Sequence, residues 1–337
     1  MISIAAVEHY VPENIVSNQD LAGFMETSDE WIQTRSGIQQ RRWVRRGNEV
    51  FKGQTNQEMV AAATDRALKA ANLRYSDIDL ICYATISPDN EMPGSGVLLK
   101  KLLKIERDIP IFEIRNQCSG FLYAVQTARA YLLSGKAKHV LVVGAEIQSS
   151  GLDLSTRGRN TAVLFADGAG VFILSKSESK ERELIALKLH SDGSHDSRLG
   201  IKFPGYARQE FVNECDFEGE EPGVYPNMDG KFVFKMASTR MPEVVREILS
   251  DSGYSLKDLK VVVPHQANLR IIEMLSANLG PEVRVFSNIQ QYGNTTAASI
   301  PIALSEASKQ GVLKSGDLLC IVSFGAGFSW GAALINW

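Results

Sequence analysis

The residue that first suggests chemistry is Cys118, in Arg115-Asn-Gln-Cys118-Ser-Gly120. A strand-like run from Ile111 ends near Arg115, and a helix with apolar Leu122, Val125, Ala128 and Leu132 at helical spacing begins near Ser119. A thiol at such a junction faces free backbone N–H groups and the positive end of the helix dipole, which stabilise a thiolate. The alternative is a small buried hydrophobe, the commonest fate of a cysteine. A nucleophilic thiolate usually comes with a histidine and a further polar group. The sequence has His265 in Val263-Pro-His265-Gln-Ala-Asn268-Leu-Arg270, and Asn294 in Tyr292-Gly-Asn294-Thr-Thr-Ala-Ala-Ser299. Taken singly, His265 could be a satisfied structural residue and Asn294 a turn former. All three sit where a strand gives way to a helix, and ligands of open α/β sheets bind outside the carboxyl ends of the strands.

The elements that must hold these residues read as α/β. Short β-branched runs (Leu80 to Ala84, Val140 to Val143, Val261 to Val263) alternate with stretches of helical period. Helix candidates are Gln57 to Ala71 and Glu243 to Ser252. Asn72 and Gly253 follow them 181 residues apart, as do Asp77 and Asp258, Gly135 and Gly316, and Gly144 and Gly325. Repetition at one offset points to two homologous halves. The polar run Ser175 to Glu183 serves as connector, giving a first half, 1–178, that carries Cys118 and a second, 179–337, that carries His265 and Asn294. In this register Cys118 falls opposite Ser299. Residues 196–226 look long and irregular for a connection, as a lid or a decorative insertion would.

Composition narrows the function class. The chain of 337 residues is 44% hydrophobic and 22% charged, which suits folded domains with a large core. Its net charge of -3 offers no general field for nucleic acid. No apolar run reaches the roughly 18 to 20 residues of a membrane helix. The first Lys or Arg is Arg35, unlike the start of a secretory or transit peptide; a cytoplasmic location is expected. Cys82, Cys118, Cys215 and Cys320 form no CxxC pair, so neither a structural metal nor a disulfide framework is expected.

Two further patterns invite a ligand. Asp167-Gly-Ala-Gly170 and Gly325-Ala326-Gly327 lead into strand-like runs rather than helices, which disqualifies them as dinucleotide fingerprints. The second could instead lend an N–H near Ala326 to an oxyanion hole. Arg35, Arg41, Arg42, Arg45, Arg46 and Lys52, with Trp31 and Trp43 among them, form either a solvated face or a local anion site in which Arg binds phosphate and Trp stacks on a purine.

Together, Cys118-Ser-Gly-Phe, His265-Gln-Ala-Asn-Leu-Arg, Gly293-Asn-Thr-Thr-Ala-Ala-Ser and Phe324-Gly-Ala-Gly-Phe-Ser-Trp-Gly resemble the β-ketoacyl-acyl carrier protein synthase III family of the thiolase superfamily. The likeness runs from Thr27-Ser-Asp-Glu-Trp31-Ile-Gln-Thr-Arg35 to Trp330-Gly331. It implies thiolase-like duplicated βαβαβαββ halves in α-β-α-β-α layers. It also implies a homodimer that condenses an acyl-CoA primer with malonyl-acyl carrier protein, without metal or redox cofactor.

By resemblance, Cys118 takes the acyl group, and its N–H with one near Ala326 forms the oxyanion hole. His265 and Asn294 stabilise the enolate left by decarboxylation. Trp31 and Arg159 would flank the adenine of CoA, with Arg35 near phosphate and Gly230, Phe234, Ala267 and Asn268 along the pantetheine tunnel. Arg270 would meet the carrier protein, and Met92 would cross the dimer interface to limit acyl length. Asn116-Gln117 replace the usual small residues before the nucleophile, a pattern closer to alkylquinolone-type synthases, and Ala326 replaces a common Gly. The alternatives are therefore a specialised condensing enzyme or acyltransferase using malonyl-CoA or another acceptor, and a non-catalytic acyl-CoA or carrier-protein binding protein.

Overall fold

A computed structural model describes the whole chain except residues 47–48, 53, 204 and 206–222 and the side chains at 46, 49 and 50. Cys215 and most of the 196–226 segment lie outside the described residues.

The first half runs β1 (Ile2–Tyr10), α1 (Asp29–Ser36), α2 (Asn56–Ala71), β2 (Leu80–Ala84), α3 (Ser95–Leu102), β3 (Ile111–Ile114), α4 (Gly120–Leu133), β4 (His139–Glu146) and β5 (Gly168–Lys176). The second runs β6 (Glu183–Ser191), α5 (Gly230–Asp251), β7 (Leu259–Pro264), α6 (Leu269–Leu279), β8 (Arg284–Val285), α7 (Ser299–Lys309), β9 (Leu318–Gly325) and β10 (Ser329–Asn336). Leaving aside α1 and the shorter helices and strands, the main elements of each half run βαβαβαββ. The ten strands lie in the order β8-β7-β9-β10-β6-β1-β5-β4-β2-β3. Within each half the first three of these pairings from the outer edge inward are parallel, parallel and antiparallel, and the fourth is antiparallel. The halves join by a single register pair, Ser3 opposite Glu183.

Strand alternation builds the layers. In β2, Leu80, Cys82 and Ala84 enter a middle core with Leu122, Val125 and Ala128 of α4 and Ile300, Ala303 and Leu304 of α7. Ile81 and Tyr83 face the other way, against Met59, Val60, Ala63 and Ala67 of α2 and Leu99 of α3. In β9, Leu319 and Ile321 enter the middle core, while Cys320 and Val322 meet Val244, Val245, Ile248 and Leu275 of α5 and α6. Strands covered on both faces need continuous apolar sequence, which β2 and β9 have. The result is α-β-α-β-α, the architecture expected from the resemblance.

The repeat is real, but its register is not constant. β1 and β6 begin 181 residues apart, and Asn72 and Gly253 do the same job, leaving α2 and α5 with left-handed φ of 54° and 75°. Asp77 accepts the N–H of Arg74 at 2.9 Å just as Asp258 accepts that of Ser255 at 2.8 Å. Further on, unequal loops shift the correspondence. Gly135 ends α4 as Gly311, not Gly316, ends α7. Gly144 sits within β4 opposite Ala84, whereas Gly325 closes β9 opposite Ser329. The turns preceding the central helices are Gln117–Ser119 and Thr296–Ala298, each opening on a positive φ of 47° or 45°. Cys118 therefore corresponds to Ala297, and Ser299 to Gly120. Helix α5 also begins well before the expected Glu243. Asp229 caps it by accepting the Phe232 N–H, and burial of Ala237 and Met241 carries it through Pro242 despite the lost backbone bond.

Candidate active site

The three sites of chemical interest open on one cavity of about 950 Å³, lined among others by Cys118, His265, Asn294, Gln117, Gln148 and Phe324. Cys118 and His265 follow the carboxyl ends of β3 and β7, as expected; Asn294 instead follows the short helix Ile289–Tyr292 and is bridged to Phe165.

Cys118 lies in the tight turn between β3 and α4. Its carbonyl accepts from Ser323 Oγ at 2.9 Å, and the neighbouring Ser119 Oγ donates to the Ser329 carbonyl at 2.8 Å, so β9 and β10 grip the turn. A Cβ at Gly325 would stand 3.0 Å from Cys118 Cβ and 3.1 Å from its nitrogen, so this close approach needs a glycine. The expected lowering of the thiol is not what the structure gives. Burial, with the negative charge of Glu146 adding to it, pushes Cys118 up to about 12. Desolvation of a thiolate outweighs the one-turn dipole here. The resting thiol is protonated, and thiolate forms only when a bound substrate or a local change of charge favours it.

His265 follows β7 and is 2% exposed. Its Nδ1 lies 2.6 Å from Ser299 Oγ at the start of α7, and the same Oγ accepts the Gln266 N–H at 3.4 Å. We assign the serine proton to Nδ1 and the imidazole proton to Nε2. Nε2 is buried and has no partner among the described residues. Burial pulls the ring's pKa to about 3, so it is neutral at working pH and presents one unused donor. Asn294 is fixed by its N–H to the Leu164 carbonyl at 2.8 Å and by the Thr296 N–H to its Oδ1 at 2.9 Å. With the oxygen held, Nδ2 is the amide's remaining donor. A neutral imidazole and an amide, both short-range donors lining the cavity, suit an oxygen that gains negative charge during reaction.

Toward the mouth, the cavity is lined by Trp31, Arg35, Gly230, Phe234, Ala267, Asn268 and Arg270. The Arg35 and Arg159 guanidinium carbons stand 4.1 and 5.1 Å from the Trp31 ring centroid. Arg157 turns instead to Asp153 at 2.6 Å. Asn268 caps α6 and donates to the Arg35 carbonyl at 2.9 Å, tying the two halves together at the rim. Two members of the wider Arg/Trp patch are not on the surface. Arg41 is fully buried, donating to Asn18 and to the Val16 and Val163 carbonyls, and Trp43 is buried with its N–H on the Phe165 carbonyl. Met92 is outside the cavity and 88% exposed. Ala326 lines the cavity in the β9–β10 turn.

Four residues of the site were not singled out for these parts from sequence: Ser299 behind His265, Thr296 on Asn294, and Gln148 and Glu146 beside them. Glu146 alone left a signal, a charge ending the otherwise apolar strand Val140 to Ala145.

Models of two parts of the 3-oxoacyl-[acyl-carrier-protein] synthase III family match residues 112–193 and 249–337. The β-ketoacyl-[acyl-carrier-protein] synthase III of Aquifex aeolicus is 40% identical over 329 residues, 97% of each chain. The chain belongs to the β-ketoacyl-[acyl-carrier-protein] synthase III family. A crystal structure of the 3-oxoacyl-[acyl-carrier-protein] synthase III from Aquifex aeolicus superimposes with a TM-score of 0.87 at 39% identity, covering 100% of both chains. The priming β-ketosynthase of the R1128 polyketide pathway gives 0.85 at 31% identity, covering 99% of this chain and 96% of that one. The Aquifex aeolicus structure thus spans the entire fold.

Proposed function

We propose that this chain is an acyltransferase that condenses an acyl-CoA primer with malonyl-acyl carrier protein through an acyl-Cys118 intermediate, giving a 3-oxoacyl product of fatty acid biosynthesis. The observation that carries the reading is the His265 Nε2, without a partner among the described residues and on a ring held neutral in the cavity that Cys118 also lines.

In the first half-reaction Cys118 Sγ bonds to the primer carbonyl, the bond from that carbonyl to the pantetheine sulfur breaks, and the thiol proton leaves with CoA. The N–H groups of Cys118 and Ala326 hold the oxyanion. In the second, malonyl thioester loses carbon dioxide; the electron pair of the broken C–C bond becomes an enolate whose oxygen accepts from His265 Nε2 and Asn294 Nδ2. The carbanion carbon then attacks the acyl-Cys carbonyl and expels the Cys118 thiolate. The thiolate then takes up a proton to return to the resting thiol, so the sequence consumes the two thioesters and one proton.

Trp31, Arg35 and Arg159 form the purine and phosphate end of the primer site, and Gly230, Phe234, Ala267 and Asn268 its pantetheine tunnel. Arg270 at the mouth meets the acidic carrier protein. The edge strand β3 and the projecting Met92 make the face of a homodimer, Met92 closing the partner's acyl pocket; sedimentation at the mass of a single chain would sink this assembly. We place the enzyme in the cytoplasm with its CoA and carrier thioesters.

Incubation with a panel of acyl-CoAs should leave an acyl mass on the Cys118 peptide and none on Cys118→Ala; absence of adduct from every donor, on folded protein, overturns the reading. A second reading, a specialised condensing enzyme of the same family, is favoured by Asn116-Gln117 before the nucleophile and by the likeness to a polyketide priming enzyme. Product identification with malonyl-acyl carrier protein against malonyl-CoA separates the two.

A further inference from the structure

Helices α1, α5 and α6 supply the mouth of the cavity, with Trp31, Arg35, Gly230 and Arg270. Beside Cys118 and away from those helices, its wall comes from the segments that leave β2, β3 and β4 and from the Thr296 turn: Ile86, Arg115, Gln117, Gln148 and Thr296. Hydrogen bonds knit this wall together. The Thr85 N–H reaches the Ile114 carbonyl at 3.3 Å, and the Ile86 N–H and Gln148 Nε2 share Glu146 Oε2 at 3.1 and 3.3 Å. Gln148 Nε2 also reaches Thr296 Oγ1 at 3.3 Å. A thioester that enters by the mouth and reaches Sγ lays its acyl group against this wall.

Of the five residues only Ile86 is apolar. The Arg115 guanidinium has no ion pair or hydrogen bond among the described residues, and neither has the Gln117 amide. Gln148 keeps Nε2 on Glu146 and Thr296, which leaves Oε1 as its atom without a partner. The acids nearest in sequence are engaged elsewhere. Glu113 accepts the Gly96 N–H at the start of α3 at 3.0 Å, and Glu146 lies behind Gln148 and does not line the cavity. Asp196, the one acid among the described lining residues, comes with Leu199 and Gly200 from the segment before α5.

We propose that this wall selects a primer whose acyl chain ends in a carboxylate, the mono-CoA thioester of a dicarboxylic acid, and that Arg115 is the residue that reads its charge.

An alkyl chain lying here would take water from a guanidinium and two amides and return no hydrogen bond, which disfavours it. A carboxylate returns them. The planar guanidinium fork matches a carboxylate with two parallel N–H bonds, and Gln117 Nε2 brings two further donors to the same wall. The inference names the substrate class of the condensing reading and rests on it.

The test follows acylation of Cys118 by mass on the intact protein. Succinyl-, glutaryl- and adipoyl-CoA are run against butyryl-, pentanoyl- and hexanoyl-CoA, chains of the same length that end in methyl, and against ω-hydroxypentanoyl-CoA. At least one carboxyl-ended primer should acylate wild type about 10- to 100-fold faster than its methyl-ended counterpart, the range of a hydrogen bond to a charged group. Arg115→Met should invert the preference, slowing the carboxyl-ended primer and speeding the methyl-ended one. Arg115→Lys, which keeps the charge but loses the fork, should fall between. Arg115 is exposed, so neither change removes a buried contact. Methyl-ended primers that match or outrun every carboxyl-ended one overturn the proposal, as does ω-hydroxypentanoyl-CoA outrunning glutaryl-CoA, or an Arg115→Met protein with the wild-type ratio. In each of those cases Cys118 is still acylated and the condensing reading survives; failure of every primer on folded protein removes both.

Discussion

His265 and Ser299 work as a pair, and the pair is what makes the imidazole a donor. Ser299 Oγ accepts from Gln266 N–H and lies 2.6 Å from Nδ1; with its own proton assigned to Nδ1, the ring proton lies on Nε2. Removing the hydroxyl in Ser299→Ala frees the tautomer and the ring angle without touching Cys118 or Asn294. Malonyl decarboxylation should then fall by about 10-fold while primer transfer to Cys118 persists, a smaller loss than the about 10²- to 10³-fold expected when a donor itself is deleted, as in His265→Ala. Separate assays of the two half-reactions check this; equal losses in both would show that Ser299 only supports the fold.

At the scale of elements, the site depends on how closely β9 approaches the turn before α4. Gly325 permits that approach, since a Cβ there would crowd Cys118 Cβ and nitrogen at 3.0 and 3.1 Å. Gly325→Ala should keep the fold but push the nucleophile off its position, and displacement of this order costs about 10²-fold in rate; stopped-flow acylation is the measure, and an unchanged rate would refute the steric argument. Sequence pattern reached the alternation of strands and helices, the duplication, and the strand-to-helix setting of Cys118 and His265, because those follow from local periodicity; Asn294 instead follows the short helix Ile289–Tyr292. It missed the register slip between halves, because loop insertions move a fixed offset without altering any element. It misjudged the thiol for a different reason: a helix terminus is visible in sequence, whereas the desolvation that overrides it comes from β9, β10 and the Thr296–Ala298 turn packing around Cys118. Arg41 shows the same gap, reading as surface charge until Val16, Asn18 and Val163 are seen to enclose it.

The whole molecule holds buried titratable groups of opposite sense, and their balance fixes how stability follows pH. Burial pulls His265 to about 3 and His9 to about 4, below the 6.5 of an unfolded histidine. For these two the unfolded chain binds more protons, so stability is lost as pH falls below about 6.5. Glu146 is raised to about 7 and Asp167 to about 6, from 4.5 and 3.8. For these the folded chain keeps the proton longer, so their contribution is fully present below the unfolded values and is lost as pH rises through the folded ones. Between pH 5 and 8 the imidazoles add stability as the acids remove it, and at about 1.4 kcal/mol for each tenfold change in proton affinity the two changes are of the same size. Wild-type urea midpoints should therefore stay nearly level across that window. Glu146→Gln removes one acid from the balance and leaves both imidazoles, so its stability should climb from pH 5 to pH 8 by about 2 to 3 kcal/mol relative to wild type. A variant whose midpoints run parallel to wild type would mean that Glu146 is already ionised throughout, and that its donors, not its burial, govern its charge.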